Sequence, residues 1–443
     1  MKKNQDLDET LDLAAKVVGH IGETAALPSY ARAEILQKIS GKIAASSEDF
    51  ARLICEEVKK PIKEARREVA RAVFTFNWAS EEAKRFGGEV LPLDLDSSSV
   101  GRSALTRRFP RGPALLISPF NFPLNLVAHK VAPAIALGIP FVLKPAPQAP
   151  KTAQKLMEII FESGWPDRAA AAAFCSNEIA EKLVQSDLFS ILSFTGSAAV
   201  GWKLKSLAGK KRVILELGGT APLYVDETAD LVYAAKRAAW GAFYYSGQVC
   251  ISVQKIFAAA PVYEKFKDLL LKEIAALKVG DPMDEKTDIG PLIDPKSEER
   301  VEDWVSEAVG QGAKILCGGK RMGNGIFPAT LIENAPKNCL LSCEEAFGPV
   351  ATLEKVEDSD QALKKMSEGS YGLQAGIFTR DLKLAHRAWR ELPYGGIIIN
   401  DIPAFRSDAM PYGGNKDSGI GREGVRYAME EYSEIRTLVI NPG

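Results

Sequence analysis

PALLISPFNFPLNLVAHKVAPAIALGIPFVLKPAP, residues 113–147, decides the fold. ALLIS and FVLKP are short apolar runs that read as buried strands, and LNLVAHKVAPAIALG between them reads as a helix. The alternation continues downstream. TAQKLMEIIFESG is a helix, AAAFC a strand, NEIAEKLVQ a helix and ILSFTGS a strand. AAVGWKLKSLAG then reads as a helix and RVILELG as a strand. Repeated strand–helix–strand units give a parallel, doubly wound α/β sheet covered by helices. Such sheets bind nucleotides at the carboxyl ends of their strands.

Upstream, the first eighty or so residues carry apolar positions at helical spacing, as in ARAEILQKISGKIAA, and predict amphipathic helices. SSSVGRSALTRRFPRG, residues 97–112, alternates polar and apolar residues and predicts a strand pair standing away from the core. Beyond Gly219 a second α/β series begins with APLYV and runs through KIFAAA, GIFPATLI, VATLEKV, AGIFT and GIIIN. The last apolar run, TLVINPG, is expected to pair with the strand near Arg102 or with another subunit.

At 443 residues the chain exceeds one hydrophobic core, so two closely packed domains are expected. A formal net charge of -1 leaves no basic footprint for nucleic acid. No apolar span is long enough to cross a bilayer, and MKKNQDLDET is no signal peptide. Six dispersed cysteines are not a disulfide framework, which fits a reducing cytoplasm. His20, His129 and His386 lie far apart without ligand spacing, so no metal is expected. Cys339 and Cys343 read as structural.

Several strand ends carry chemistry. In ISPFNFP, the Asn121 amide is either a turn former or a donor to a developing oxyanion. Lys144 lies between an apolar strand and a rigid Pro-rich turn, which favours a defined partner such as a ribose hydroxyl over a snorkelling role. Gly196 and Ser197 stand between a strand and a helix, where backbone amides meet a pyrophosphate. Glu216 ends an apolar strand beside two glycines, where desolvation would raise its pKa and suit it to act as a base. In YYSGQVCIS, residues 244–252, Cys250 is either a small buried apolar residue or a thiol presented as a nucleophile.

PFNFP, LKP, FTGS with Val200 and Gly201, LELGG, GQVC, EEAFGPV and PYGG-x-K-x-SG-x-GREG stand in one order along nearly the whole chain. In that order they resemble the NAD(P)-dependent aldehyde dehydrogenase superfamily. The resemblance implies a cofactor domain over 1–91 and 111–218 and a catalytic domain over 219–418. A bridging β arm over 92–110 and 433–443 would join subunits into a homodimer or homotetramer. It also implies that Cys250 attacks the aldehyde, with Asn121 and the Cys250 backbone N–H as oxyanion donors, and that Glu216 activates the hydrolytic water. Glu423 matches a second glutamate that acts as a proton relay. Glu345 would bind the nicotinamide ribose, Phe347 pack near that ring, Lys144 meet the adenosine ribose and Ser197 the pyrophosphate. Ser118, Pro119, Phe120, Pro147, Val200, Leu217 and Gly218 fall at further cofactor positions.

The chain departs from the family pattern in three places. NAD-preferring members often carry glutamate three residues after the lysine; here it is Pro147, which removes a barrier to NADP, so both NAD and NADP are expected. The tunnel positions, often aromatic, include Asn125 and His129, with Phe122 and Tyr412 retained. Arg406 is read either as a surface arginine or as a substrate contact. FR-x-D-x-MP-[FY]-GG resembles members acting on lactaldehyde, glyceraldehyde phosphate or phosphonoacetaldehyde. Many relatives place an amino-terminal arm before the first helix, and this chain is expected to lack it, which leaves assembly open. Two competing readings are a CoA-acylating enzyme, which usually lacks a glutamate at position 216, and a non-enzymatic relative, which would lose its nucleophile.

Overall fold

The structure, a computed structural model, describes residues 5–441, so the outermost ends of the domain bounds, 1–4 and 442–443, lie outside the described residues. Five helices open the chain: α1 (Leu7–Val18), α2 (Ile21–Ala26), α3 (Ser29–Ala45), α4 (Ser47–Val58) and α5 (Ile62–Arg85). Asp6 and Glu9 close a reciprocal cap that satisfies orphan amides at the start of α1. Next come β1 (Val90–Pro92) and β2 (Ser103–Pro110), an antiparallel pair. The stretch read as a strand pair therefore supplies one strand, β2. Residues before it form a turn on Asp96, whose carboxylate accepts from the Ser98 backbone N–H at 2.8 Å and Ser99 Oγ at 3.0 Å.

The first sheet follows the expected alternation: β3 (Ala114–Ile117), α6 (Asn125–Leu137), β4 (Phe141–Lys144), α7 (Pro150–Glu162), β5 (Ala170–Ala172), α8 (Asn177–Gln185), β6 (Ile191–Thr195), α9 (Ala198–Leu207) and β7 (Arg212–Glu216). Its parallel order β7-β6-β3-β4-β5 reverses between β3 and β6, which creates a crevice at their carboxyl ends. Continuous apolar runs arise because both faces are covered. Leu115, Ile117, Val142 and Leu192 pack under α1, α8 and α9. Leu116, Phe141, Leu143 and Ile191 face the core of α3 to α7.

The second series builds β8 (Pro222–Val225), α10 (Leu231–Phe243), β9 (Lys255–Ala259), α11 (Tyr263–Ala276), α12 (Pro295–Gly310), β10 (Lys314–Cys317), β11 (Thr330–Glu333), α13 (Leu340–Cys343), β12 (Val350–Val356), α14 (Ser359–Ser367), β13 (Tyr371–Gly372), β14 (Gln374–Phe378), α15 (Leu382–Glu391) and β15 (Gly396–Ile399). The sheet order is β10-β11-β12-β9-β8-β14-β15. Only β10 runs antiparallel to its neighbour, and its register breaks between Ile315 and Cys317. That edge strand is short and irregular, which is why the sequence pattern missed it. GIFPATLI shrinks to β11, because Pro328 lacks the N–H a ladder needs.

The chain then returns through β16 (Asn415–Lys416) and β17 (Gly419–Ile420), which pairs antiparallel with β7 and sets Gly419 opposite Glu216. After α16 (Val425–Tyr432), β18 (Ser433–Ile440) pairs with β2 along its whole length. Of the two partners expected for the last apolar run, the strand in the same chain is the one it takes. The architecture is thus a doubly wound parallel sheet, a second α/β sheet and a three-stranded β arm. Among the described residues no helix is long and apolar enough to cross a membrane.

Candidate active site

The loop leaving β3 carries Asn121 into the space between the two sheets. Asn121 is buried, its Nδ2 donates to the Gln248 carbonyl at 3.0 Å, and its Oδ1 has no partner. A buried ion pair anchors this loop. Glu68 accepts from the backbone N–H groups of Leu124 at 2.8 Å and Asn125 at 3.1 Å, capping α6, and it pairs with Lys60. Lys60 sits 3.5 Å over the Phe122 ring. Burial lowers its pKa to about 8 against the opposing pull of Glu68.

Cys250 follows a strained turn. Tyr245, Ser246 and Gly247 adopt φ of 49°, 55° and 67°, and a Cβ on Gly247 would lie 2.1 Å from the Gly348 carbonyl oxygen. Tertiary bonds hold this conformation: Tyr245 Oη donates to the Val58 carbonyl at 3.1 Å, and Ser246 Oγ to that of Gly290 at 2.7 Å. The Cys250 side chain, partly accessible, lines a cavity, with Sγ 3.2 Å from Tyr412 Oη. Burial pushes the thiol up to about 12, and the Tyr412 hydrogen bond opposes that rise. A neutral thiol at rest needs a base to take its proton.

Glu216 ends β7 with neither carboxylate oxygen partnered. Burial raises its pKa well above the usual carboxylate range, and the neighbouring Glu423 charge raises it further. Glu423 is the opposite case. Burial would raise it too, but Lys130 Nζ at 3.0 Å and Arg406 Nη2 at 3.2 Å overcome that penalty and hold it below the usual range. Two carboxylates pushed in opposite directions mark an acid–base site.

Cys250, Asn121 and Glu216 share a cavity of about 490 Å³ with Pro119, Phe120, Gly196, Ser197, Leu217, Gly218, Glu345 and Phe347. Glu345 accepts from the Gly219 N–H at 3.2 Å; burial lifts it to about 7 despite that bond. A Cβ on Gly218 would come within 2.4 Å of Glu345 Oε2, so a larger residue there would displace that carboxylate from its present position. Phe347 and Phe120 meet edge to face at 5.9 Å. Ser118 is buried with its Oγ unpartnered, and Thr195 at the cavity wall is in the same state. Ser197 stands at the open amino end of α9 without capping it. Orphaned hydroxyls, an uncapped helix start and an aromatic wall fit a nicotinamide dinucleotide.

Other expected positions lie outside this cavity. Lys144 donates to Asn177 Oδ1 at 3.1 Å at the end of β4, while Pro147 and Val200 are exposed beyond it. Thr195, Arg300, Trp304 and Tyr371 also line the cavity and were not singled out in the sequence; Thr195 stands inside the FTGS motif, whereas the other three carry no local signal.

A second cavity, about 450 Å³, is lined by Phe122, Arg71, Arg406, Trp240 and Tyr244, with Arg67, Lys236 and Arg237 as further cations. The Arg406 side chain is only 5% exposed, so it is not a surface arginine: its guanidinium lies 3.8 Å over the Tyr412 ring, which joins this cavity to the thiol. Its Nε has no partner. Asn125 and His129 are fully buried and line neither cavity. Both donate instead to Asp408 Oδ1, at 3.2 Å and 2.8 Å, and Asp408 grips Arg71 through Nε at 3.0 Å and Nη2 at 2.7 Å. Arg71 lies in the charged run KEARREVARAVF, which reads locally as a solvated helix face.

Residues 1–438 match the family model described as the aldehyde dehydrogenase family, and the chain belongs to that family. It is 44% identical over 413 residues to a 3-sulfolactaldehyde dehydrogenase of Priestia aryabhattai, covering 93% of this chain and 86% of that protein. The structure superposes on aldehyde dehydrogenase 21 from Physcomitrella patens, in complex with the reaction product succinate, with a TM-score of 0.97, 42% identity and coverage of 99% and 92%. Glyceraldehyde-3-phosphate dehydrogenase from Methanocaldococcus jannaschii, complexed with NADP, matches with a TM-score of 0.95, 37% identity and coverage of 99% and 95%. The protein is an oxidoreductase acting on aldehydes, and the family uses NAD(P).

Proposed function

We propose that this enzyme oxidises a small anionic aldehyde to its carboxylic acid through a covalent thioester on Cys250. The observation that carries the reading is the Cys250 thiol, set between Tyr412 at 3.2 Å and a cavity that also holds Asn121 and the unpartnered carboxylate of Glu216. Once deprotonated, Cys250 adds to the carbonyl carbon, and the oxyanion takes hydrogen bonds from the free Asn121 N–H and the Cys250 backbone N–H. NAD or NADP, when bound, supplies the hydride acceptor, and Glu345, Phe347, Ser197 and Lys144 would hold it. Glu216 then takes a proton from water as that water attacks the thioester, and the acid leaves with Cys250 restored as a thiol. A base at this position favours water over CoA as the acceptor.

The anionic class rests on the second cavity. Arg406 offers a buried N–H without an acceptor, and Arg71 stands beside it. The names of the relatives point the same way, since sulfolactaldehyde and succinate carry an anionic group. Exposed Ile435, Leu438, Val439 and Ile440 on β18 give the arm an apolar edge suited to a second copy of the chain, the basis for a homo-oligomer. An aldehyde panel with matched anionic and neutral members, assayed with NAD and NADP, tests the reading. A neutral aldehyde used as well as its anionic counterpart overturns the anionic class.

A further inference from the structure

The cations around the second cavity are largely neutralised by carboxylates. Arg71 commits both Nε and Nη2 to Asp408. Arg406 and Lys130 share the single carboxylate of Glu423. His129 has Nε2 on Asp408 and a buried Nδ1 without any acceptor, so nothing there supports a second proton; burial also lowers its pKa. At the mouth, Arg67 is paired with Glu64 and Arg237 with Asp401. The inner ring thus sets three cations against two carboxylates, a surplus of one positive charge. An ionised Glu216 would reduce the surplus further. Lys236 is exposed, where solvent and salt screen it.

We infer that this site is built for an aldehyde whose distal group carries a single negative charge, a carboxylate or sulfonate, and that Asp408 is the residue that sets this limit. The inference rests on the anionic reading above. Asp408 lines neither cavity, yet it is buried and takes four hydrogen bonds, from Arg71 twice, His129 and Asn125. Its charge therefore stands directly behind Arg71 in a poorly screened setting. A second negative charge on the substrate finds no unmatched cation and meets the field of Asp408 instead. Asp408 acts through Arg71 and is a specificity-determining positioning residue.

The test uses two aldehydes of one shape, 3-oxopropane-1-sulfonate and 3-oxopropylphosphonate, at a pH where the phosphonate is mostly dianionic, with propanal as the neutral reference. The full-length enzyme should favour the sulfonate over the phosphonate by about tenfold or more in kcat/KM. Asp408→Asn, which keeps size and shape, should shrink that ratio about fivefold, because the lost carboxylate favours the more highly charged substrate. A loss of stability alone would lower both rates together and leave the ratio unchanged. A phosphonate used as well as the sulfonate, with both far above propanal, overturns the single-charge inference but keeps the anionic class. Propanal used as well as the sulfonate overturns the anionic class itself. An unchanged ratio in a folded Asp408→Asn overturns the role of Asp408. If that variant does not fold, the wild-type ratio still decides the charge limit, and Asp408→Ser, smaller and neutral, repeats the measurement.

Discussion

The Cys250 thiol lies 3.2 Å from the Tyr412 hydroxyl, and Tyr412 is bridged through its backbone to Glu423. Cys250 is thus tied, through one residue, to the buried carboxylate that paired cations hold ionised. Burial dominates the thiol's pKa, and the Tyr412 bond is the largest force pulling it back. Tyr412→Phe should therefore raise the Cys250 pKa further and leave less thiolate at pH 8. Alkylation of Cys250 by iodoacetamide should slow about threefold or more. An equal or faster rate would contradict this.

Cys250→Ser should lower aldehyde oxidation by about a thousandfold or more, because the hydroxyl has no comparable anionic population near neutral pH. Cofactor affinity should change little, since most of the wall of the shared cavity comes from other residues. Steady-state turnover with a fluorescence titration of reduced cofactor reads both. Turnover within tenfold of wild type would remove the covalent mechanism.

Glu216→Gln should separate the half-reactions. Thioester formation needs the thiolate and the oxyanion donors, whereas hydrolysis needs a base. Rapid mixing should show a burst of reduced nicotinamide followed by turnover slowed about a hundredfold. Without a burst, or with an unchanged steady state, the assigned role falls.

Glu423→Gln tests the coupling of the two carboxylates. The Glu423 charge raises the Glu216 pKa, second only to burial, and it also offsets Lys130 and Arg406, which lower it. Removing that charge should lower the Glu216 pKa, so the acid limb of the hydrolysis rate moves to lower pH. The pH profile of the slow phase measures this. A shift to higher pH would show that Glu423 does not act on Glu216 electrostatically.

Pro147→Glu addresses the cofactor. Pro147 follows β4 on an exposed loop, and Lys144 beside it is bonded to the neutral Asn177. The wild type should accept NADP, and a glutamate at 147 should weaken NADP about tenfold or more while NAD changes little. Dissociation constants for both cofactors decide it. A wild type that rejects NADP would overturn the inference from Pro147.

What the sequence determined by itself was whatever is local or repeated. Apolar runs of strand length alternating with helical runs dictate the first sheet, because each βαβ unit encodes its own burial on both faces. Glu216 stood out at the end of an apolar strand, whereas the local pattern left Cys250 and Asn121 open, and only the ordered motifs of the family resemblance pointed to roles for them. Tertiary structure decided what depends on partners distant in the chain. Asn125 and His129, read from α6 as tunnel residues, turn to Asp408, 283 and 279 residues away in the sequence. Arg406 could be read as surface or site until the fold buried its side chain against Glu423 and Tyr412. Pairings such as Arg71 with Asp408, on which the proposed charge limit rests, are encoded by no local pattern of residues.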